Sequence, residues 1–244
     1  MRVRRLECIV AVLAALSVTG CAASPPGAIE DPFEHTNRAV FSLNNTFNKY
    51  VTLPIAWVYV EQFPAPLRQG INNVLANLES PVTFANDLLQ GHAGRAGETL
   101  LRFALNSSGG LGGISDVAAR NGWPRHVSDF GQTLAVYGVG SGPFLVLPLI
   151  GPSTPRDTLG AGVDLLADPL VYFPADWPLW MRVSAAVGVH TLSPFEDNAR
   201  NIVFRNQLGG QSVDPYGTMR SIYRQQRVKE IAGTQGPPVP DLPE

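Results

Sequence analysis

The sequence predicts a mostly α-helical protein, and three observations carry that reading. A capping residue followed by proline recurs along the chain, a pairing that suits a helix start because the first turn does not need proline's missing N–H. Runs with a period of two residues are nearly absent. The stretch Phe130–Pro155 holds 26 consecutive residues without a charge, yet Gly138, Gly140 and Gly142 lead into Pro143, Pro148, Gly151 and Pro152, so it is not one helix. Such a run is long enough to cross a bilayer, which takes about 20 apolar residues. Broken backbone survives at membrane depth only where protein buries it or it lines a cavity. The chain therefore reads as built to meet lipid without simply spanning it.

The elements follow in order. Asp31-Pro32-Phe33-Glu34 opens a helix near 32–50 with the acid of a capping box. Ile55–Val60 is the best strand candidate, and it is short. Helices near 65–79 and 81–90 are divided by Ser80-Pro81, with Gly91 as a stop. A helix near 94–107 sets Leu101, Ala104 and Leu105 on one face, with Arg95, Glu98 and Arg102 opposite. Gly109 ends it, and Ser107–Gly113 reads as a flexible turn. The next helix, near 128–137, stops at Gly138. Thr154-Pro155-Arg156-Asp157 opens a helix near 155–167 as a second capping box, and Asp168-Pro169 repeats the start without the acid. Helices near 178–192, 194–208 (after Ser193-Pro194-Phe195-Glu196, with Gly209 as its stop) and 215–231 (after Asp214-Pro215) complete the set. Trp177 and Trp180 begin a segment whose one charge is Arg182. Its composition fits either a membrane interface or a core helix. Gly233–Glu244, with four prolines, reads as disordered.

The N-terminus supplies a route to a membrane. Arg2, Arg4 and Arg5 precede a short apolar core, Ile9–Val18, which together form a secretory signal. It ends in Val18-Thr19-Gly20-Cys21, a lipobox whose cysteine is acylated and becomes the first residue. Ala22 replaces the aspartate that signals inner-membrane retention, which favours the outer membrane. Several acyl chains anchor stably where one does not. The expected division is a signal peptide at 1–20, a tether at 21–30, a helical domain at 31–231 and a tail at 232–244.

Composition excludes several functions. Removing residues 1–20 takes three of the 18 Lys+Arg and one of the 20 Asp+Glu, leaving a net charge of −4. That balance opposes nucleic-acid or polybasic membrane-surface roles. Only 16% of residues are charged and 45% are hydrophobic, whereas about a quarter are charged in soluble domains. Cys8 leaves with the signal, so Cys21 alone remains and no disulfide framework forms.

Catalytic motifs fail one by one. Ser141 lies between Gly140 and Gly142, but a nucleophile elbow needs glycine two residues to either side, and Val139 and Pro143 stand there. Pro143 also breaks a dinucleotide-binding glycine pattern. His35, His92, His126 and His190 are scattered, without the spacing of a metal site. Asp129, Asp157, Asp164 and Asp168 lie close enough to hide a hydrolytic pair, although helix starts account for all but Asp164. No cofactor is implied.

The ordered blocks do resemble a known family. They are Asp31-Pro32-Phe33-Glu34 with Asn37-Arg38; Asn77-Leu78-Glu79 with Pro81 and Leu89-Gln90-Gly91; and Arg102-Phe103 through Asn106, Gly112-Gly113 and Asp116-Val117-Ala118. The most specific is Asp129-Phe130-Gly131-Gln132-Thr133-Leu134 through Tyr137-Gly138-Val139-Gly140, Gly142-Pro143, Leu147-Pro148, Gly151 and Arg156-Asp157. Over about 31–217 the chain resembles the MlaA (VacJ) family of Gram-negative outer-membrane lipoproteins. The resemblance implies a ring-like helical body in the periplasmic leaflet, with no transmembrane barrel, beside a trimeric porin. It implies an amphipathic channel that passes misplaced phospholipids from the outer leaflet to a soluble periplasmic carrier, and no hydrolysis. Tyr137, Gly138, Gly140, Gly142 and Pro143 are the channel or hinge candidates. A lipoprotein phospholipase and a purely structural lipoprotein are the competing classes.

Cys21→Ser should abolish acylation, leaving the chain uncleaved or soluble. Metabolic labelling with palmitate checks this, and a labelled variant would contradict the assignment.

Overall fold

The computed structural model describes residues 31–172, 175–189 and 213–235. Helices dominate them. Cys21, the expected helix at 194–208 and its stop Gly209 lie outside the described residues.

The first helical stretch is longer than expected. α1 (Glu34–Phe47) passes into a π turn (Asn48–Thr52) and then into α2 (Leu53–Gln62). The wide turn falls where Pro54 would clash with the carbonyl of Tyr50 in a regular helix, and a π turn relieves that contact. α1 begins two residues later than expected, at Glu34 after a turn through Pro32 and Phe33, and Phe33 occupies the cap position without a side-chain bond. The strand expected at Ile55–Val60 is helix instead. An apolar run this short does not reveal its period, and a helix bonds its own backbone whatever surrounds it. Ile55, Trp57 and Val58 all point outward, Trp57 with 62% of its surface exposed.

α3 (Ala65–Leu89) is one helix where two were expected, and Pro81 lies inside it. A mid-helix proline costs about 3 kcal/mol in isolation. Here Asn77, Val82, Thr83, Asn86 and Asp87 are buried on both sides of it, so tertiary contacts hold the helix together. It ends as the glycine predicts: Gly91 adopts φ +79°, with its N–H on Leu88 and that of His92 on Asp87. α4 (Ala93–Ser108) packs along α3. The connection after it is not a loose turn. A Cβ on Gly110 would lie 2.3 Å from the Ser115 carbonyl oxygen, and one on Gly113 would lie 2.7 Å from the Asn77 Cβ. α5 (Val117–Arg120), absent from the expected elements, starts at Asp116, whose side chain accepts from the Ala119 N–H.

α6 (Phe130–Val136) is capped by Asp129, whose side chain accepts from the Gln132 N–H. The rest of the uncharged run contains a hairpin that the sequence did not announce. β1 (Leu145–Leu147) pairs antiparallel with β2 (Gly151–Ser153), and Leu145 faces Ser153. Three-residue strands are too short for an alternation to stand out. α7 (Pro155–Ala167) begins at Thr154 as expected, and Asp168 caps a 3-10 turn over Pro169–Val171. A helix, α8, is described over 179–189. Trp180 (67% exposed) and Trp177 face outward, so these two tryptophans are not core residues. α9 (Pro215–Gln235) continues past the expected boundary at 231.

Two contacts organise the centre. α6 lies against α7 so closely that a Cβ on Gly160 would sit 2.4 Å from the backbone nitrogen of Gly131. The hairpin is clamped to α1: Asn37 donates to the Phe144 carbonyl and accepts from the Val146 N–H, while Asn44 does the same with Leu147 and Leu149. Phe144 and Val146 complete a small apolar cluster with Tyr216 of α9.

Polarity runs the wrong way for a body in water. In α4 the buried side chains are Ala96, Thr99, Arg102 and Asn106, while Leu100 (55% exposed), Leu101 and Phe103 face outward. In α7 Arg156, Gly160 and Asp164 are buried, and Leu159 and Leu166 are exposed. Among the described residues, buried polar side chains outnumber buried hydrophobic ones. The Leu101–Leu105 stripe in α4 exists, but Leu101 is exposed and Arg102 is buried, the reverse of a water-soluble helix. No described helix is long and apolar enough to cross a membrane.

Gly160→Val should destabilise the protein by about 2–4 kcal/mol, because the new side chain meets the α6 backbone. Gly162→Ala, where nothing lies within 4 Å, should be neutral or stabilising by about 0.5–1 kcal/mol. Thermal unfolding of both variants in detergent checks the contrast.

Candidate functional site

Three polar clusters lie between the described helices. The first is built on α3. Asn86 donates to Asp164 (2.8 Å) and accepts from Thr133 (2.8 Å), and Gln90 donates to Ser128 and Thr133. Asp164 also accepts from the N–H of Phe130 (2.9 Å). This aspartate of α7 therefore satisfies a free donor at the start of α6, which is a structural role that sequence spacing did not suggest.

The second cluster ties α9 to the starts of α6 and α7. Arg227 makes a two-pronged contact with Asp129 (2.7 Å for each prong) and reaches Asp157 at 3.0 Å. Tyr223 donates to Asp157 (2.6 Å), as does Thr154 (2.9 Å), while Arg156 lies alongside at 3.0 Å. Burial pushes the Asp157 carboxyl up, but the bonds from Tyr223 and Arg227 outweigh it and hold the group below its ordinary value. Burial and the hydrogen bond to Asp157 raise Tyr223. At the surface, Arg38 of α1 grips Asp214 ahead of α9, and this bond holds Asp214 down at about 2. Asp129, Asp157, Asp164 and Asp168 are thus all engaged in capping or cross-helix bonding.

The third cluster surrounds a cavity of about 140 Å³ between α3, α4 and the segment 116–126. Arg102 pairs with Asp116 (2.9 Å) and donates to the Trp123 carbonyl. Arg125 pairs with Glu79 (2.9 Å), and Asn77 donates to Ser107. Deeper in, His126 Nε2 meets Asp87 at 2.8 Å, and Thr99 donates to the same Asp87 oxygen at 2.8 Å. The trio contains the residue types of a hydrolytic triad, but acid and hydroxyl share one imidazole nitrogen, whereas a relay needs them on opposite nitrogens. Among the described residues, no three of His, Cys, Asp or Glu come together as a metal site would require.

Of the residues singled out in the sequence, Tyr137–Pro143 forms a connection on the outside of this interior. Tyr137 ends α6 and donates to the Leu89 carbonyl. Gly138, at φ +83°, closes the helix with its N–H on Ala135 and that of Val139 on Leu134. Gly142 (φ +73°) packs against Pro155. A Cβ on Gly140 would meet nothing within 4 Å. None of the segment, Pro143 included, lines the polar cavity. The residues that do line it were not singled out as a site. Their signal was present as polar residues at helical spacing: Asn73, Asn77 and Ser80 on α3, and Thr99, Arg102 and Asn106 on α4.

The model of the MlaA lipoprotein family matches residues 29–230. This chain belongs to that family. It is 35% identical over 214 residues to the intermembrane phospholipid transport system lipoprotein MlaA of Shigella flexneri, covering 85% of this chain and 82% of that protein. The Escherichia coli K12 protein of the same name is 34% identical over 214 residues, with the same coverage. A solved structure described as the structural basis for maintenance of bacterial outer membrane lipid asymmetry superposes with a TM-score of 0.71 at 33% identity, covering 83% of this chain and 99% of that one. Family membership accords with the inverted polarity of the helices and with the mostly helical architecture.

Asp157→Ala should cost about 2–4 kcal/mol, more than the ~1 kcal/mol of a lost helix cap, because Tyr223 and Arg227 lose a buried acceptor. The carboxyl is held below its ordinary value of 3.8. Its contribution is therefore complete above that pH and is lost as the pH falls through the lower folded value. Unfolding measured from about pH 6 to about pH 3 should show a shallower acid loss in Asp157→Asn than in the parent protein. An unchanged slope and a cost near 1 kcal/mol would reduce Asp157 to a cap.

Proposed function

We propose that this chain is an outer-membrane lipoprotein, anchored through Cys21, that removes misplaced phospholipids from the outer leaflet. In this reading residues 1–20 are the signal, 21–30 the tether and 31–231 the working body in the periplasmic leaflet. Lipid passes through an amphipathic path in that body to a soluble periplasmic carrier, with a trimeric porin as its neighbour in the membrane. The protein catalyses no bond cleavage.

The single observation that carries the reading is the inverted polarity, with leucine and tryptophan outward and arginine, asparagine and aspartate inward. A phospholipid that changes leaflet must bring a charged head past hydrocarbon, and an unpaired charge there is very costly. A polar interior lowers that cost, and an apolar exterior leaves the tails in lipid. The relatives named for intermembrane phospholipid transport support the same class of substrate.

The connection Tyr137–Pro143 controls passage in this reading rather than folding. Gly138 and Gly142 hold left-handed backbone angles closed to most residues, whereas Gly140 faces open space. Gly140→Trp should therefore fold and associate with membranes normally while slowing passage. Outer-leaflet phospholipid should rise in the variant at matched protein level, together with detergent sensitivity. Deletion of the gene should raise it further. Normal outer-leaflet phospholipid in the deletion strain would overturn the transport reading, and fatty acid released by the purified protein would replace it with a phospholipase.

A further inference from the structure

Charge is almost absent around the π turn that joins α1 to α2. Between Arg38 and Glu61 the chain runs for 22 residues with one charge, Lys49, and no carboxylate. Lys49 belongs to the π turn itself (Asn48–Thr52). The hairpin that Asn44 clamps to α1 lies in the uncharged run Phe130–Pro155. The element packed at this level therefore brings no counter-charge either.

The large side chains around the lysine face outward. Phe47, Tyr50, Val51, Ile55 and Trp57 are all exposed, Tyr50 by 69%. Lys49 is exposed as well, and its ammonium lies 5.4 Å from the centroid of the Tyr50 ring. That ammonium makes no hydrogen bond or ion pair among the described residues. A ring face is a weak partner for a cation at an exposed site, whereas an ammonium carries three donors and is strongly hydrated. On a surface that meets hydrocarbon such a charge is costly, unless its flexible stem carries the head out to the boundary between lipid and water. The anion found throughout that boundary is the phosphate of the phospholipids. Tyrosine and tryptophan gather at the same level, and here Tyr50 and Trp57 follow the lysine on the exposed surface.

We propose that Lys49 is a lipid-phosphate site: its ammonium, lying over the Tyr50 ring, binds the phosphate of a phospholipid in the surrounding leaflet, while Phe47, Val51 and Ile55 lie against acyl chains. The inference rests on the membrane-embedded body of the transport reading, and adds a fixed lipid contact on the outside of that body. Its ligand is the phosphodiester shared by ethanolamine, glycerol and choline phospholipids. A point charge with three rotatable donors reads the phosphate and not the group beyond it.

The test uses the fact that Lys49 and Lys229 are the two lysines of the chain. Lys229→Arg, at an exposed position of α9, leaves Lys49 as the one lysine ammonium and does not alter the site. The acylated variant, isotope-labelled at lysine Nζ, is reconstituted into bilayers of phosphatidylethanolamine and phosphatidylglycerol in phosphate-free buffer. Solid-state NMR of the frozen sample then measures the dephasing of Nζ by lipid phosphorus. The expected separation is below about 5 Å, one charge-assisted N–H···O bond plus the P–O bond. The same dephasing is expected in phosphatidylcholine bilayers, and its loss there would overturn the phosphodiester as the ligand. An ammonium that meets water, or a carboxylate of another protein, would show no dephasing and would overturn the site. A nitroxide at Ile55 in the same bilayers separates the two possible failures. No dephasing while oxygen dominates collisions at Ile55 overturns this site alone. A water-soluble nickel chelate dominating at Ile55 overturns the membrane-embedded reading beneath it.

Discussion

Everything in this structure depends on where its polar side chains go. A water-soluble domain is held by burying apolar area, at roughly 25 cal/mol per Å². That drive vanishes when the surroundings are as apolar as leucine, and helices then associate through close packing and hydrogen bonds between them. The described helices are joined in that way. Asn86, Gln90 and Thr133 tie α3 to α6, Asp164 ties α7 to both, and Arg227 with Tyr223 tie α9 to the starts of α6 and α7. Gly131 and Gly160 supply the close packing, since neither helix could approach so nearly with a Cβ at that point. The small apolar cluster of Phe144, Val146 and Tyr216 sits where the hairpin meets α9, and it is a minor part of the whole.

The same arrangement links stability to function. A polar interior that bonds the helices is also a polar interior that a charged lipid head can enter at lower cost. The ion pairs divide accordingly. Those of Arg227 and Arg102 are buried and multiply bonded, as befits structure. The guanidinium of Arg125, which pairs with Glu79, is more exposed than either of these. The connection after α6 is built differently again, with left-handed glycines at its two ends and an unobstructed Gly140 between them.

What the sequence made legible was mostly local chemistry. Thr154, Asp168 and Asp129 start helical turns with side-chain bonds to the backbone N–H groups that need them, and Gly91 and Gly138 stop helices at positive φ. Such signals lie within four residues of the structure they specify. Pro81 defied the rule because burial along α3 outweighs the missing bond, and α1 starts later than its Asp-Pro signal because a turn through Pro32 and Phe33 intervenes. The polar cavity was missed for a different reason. Reading an amphipathic helix assigns its leucines to the core, which assumes water outside. Leu101 and Ala104 meet the periodicity and point the other way. The Thr99, Arg102 and Asn106 stripe was equally visible, and only the surroundings decide which stripe is the inner one. The uncharged run Phe130–Pro155 hinted at those surroundings from the outset.

The accessibility of the outward leucines and tryptophans to lipid tests this account most directly. Nitroxide labels at Trp57, Leu100 and Ile150, with a fourth at the buried Thr133, would be measured in the acylated protein reconstituted into bilayers. Collision with oxygen, which concentrates in hydrocarbon, would be compared with collision with a water-soluble nickel chelate. The inverted polarity predicts that oxygen dominates at the three outward positions and that neither reagent dominates at Thr133. Nickel dominating at Trp57, Leu100 and Ile150 would contradict it, because those side chains would then face water.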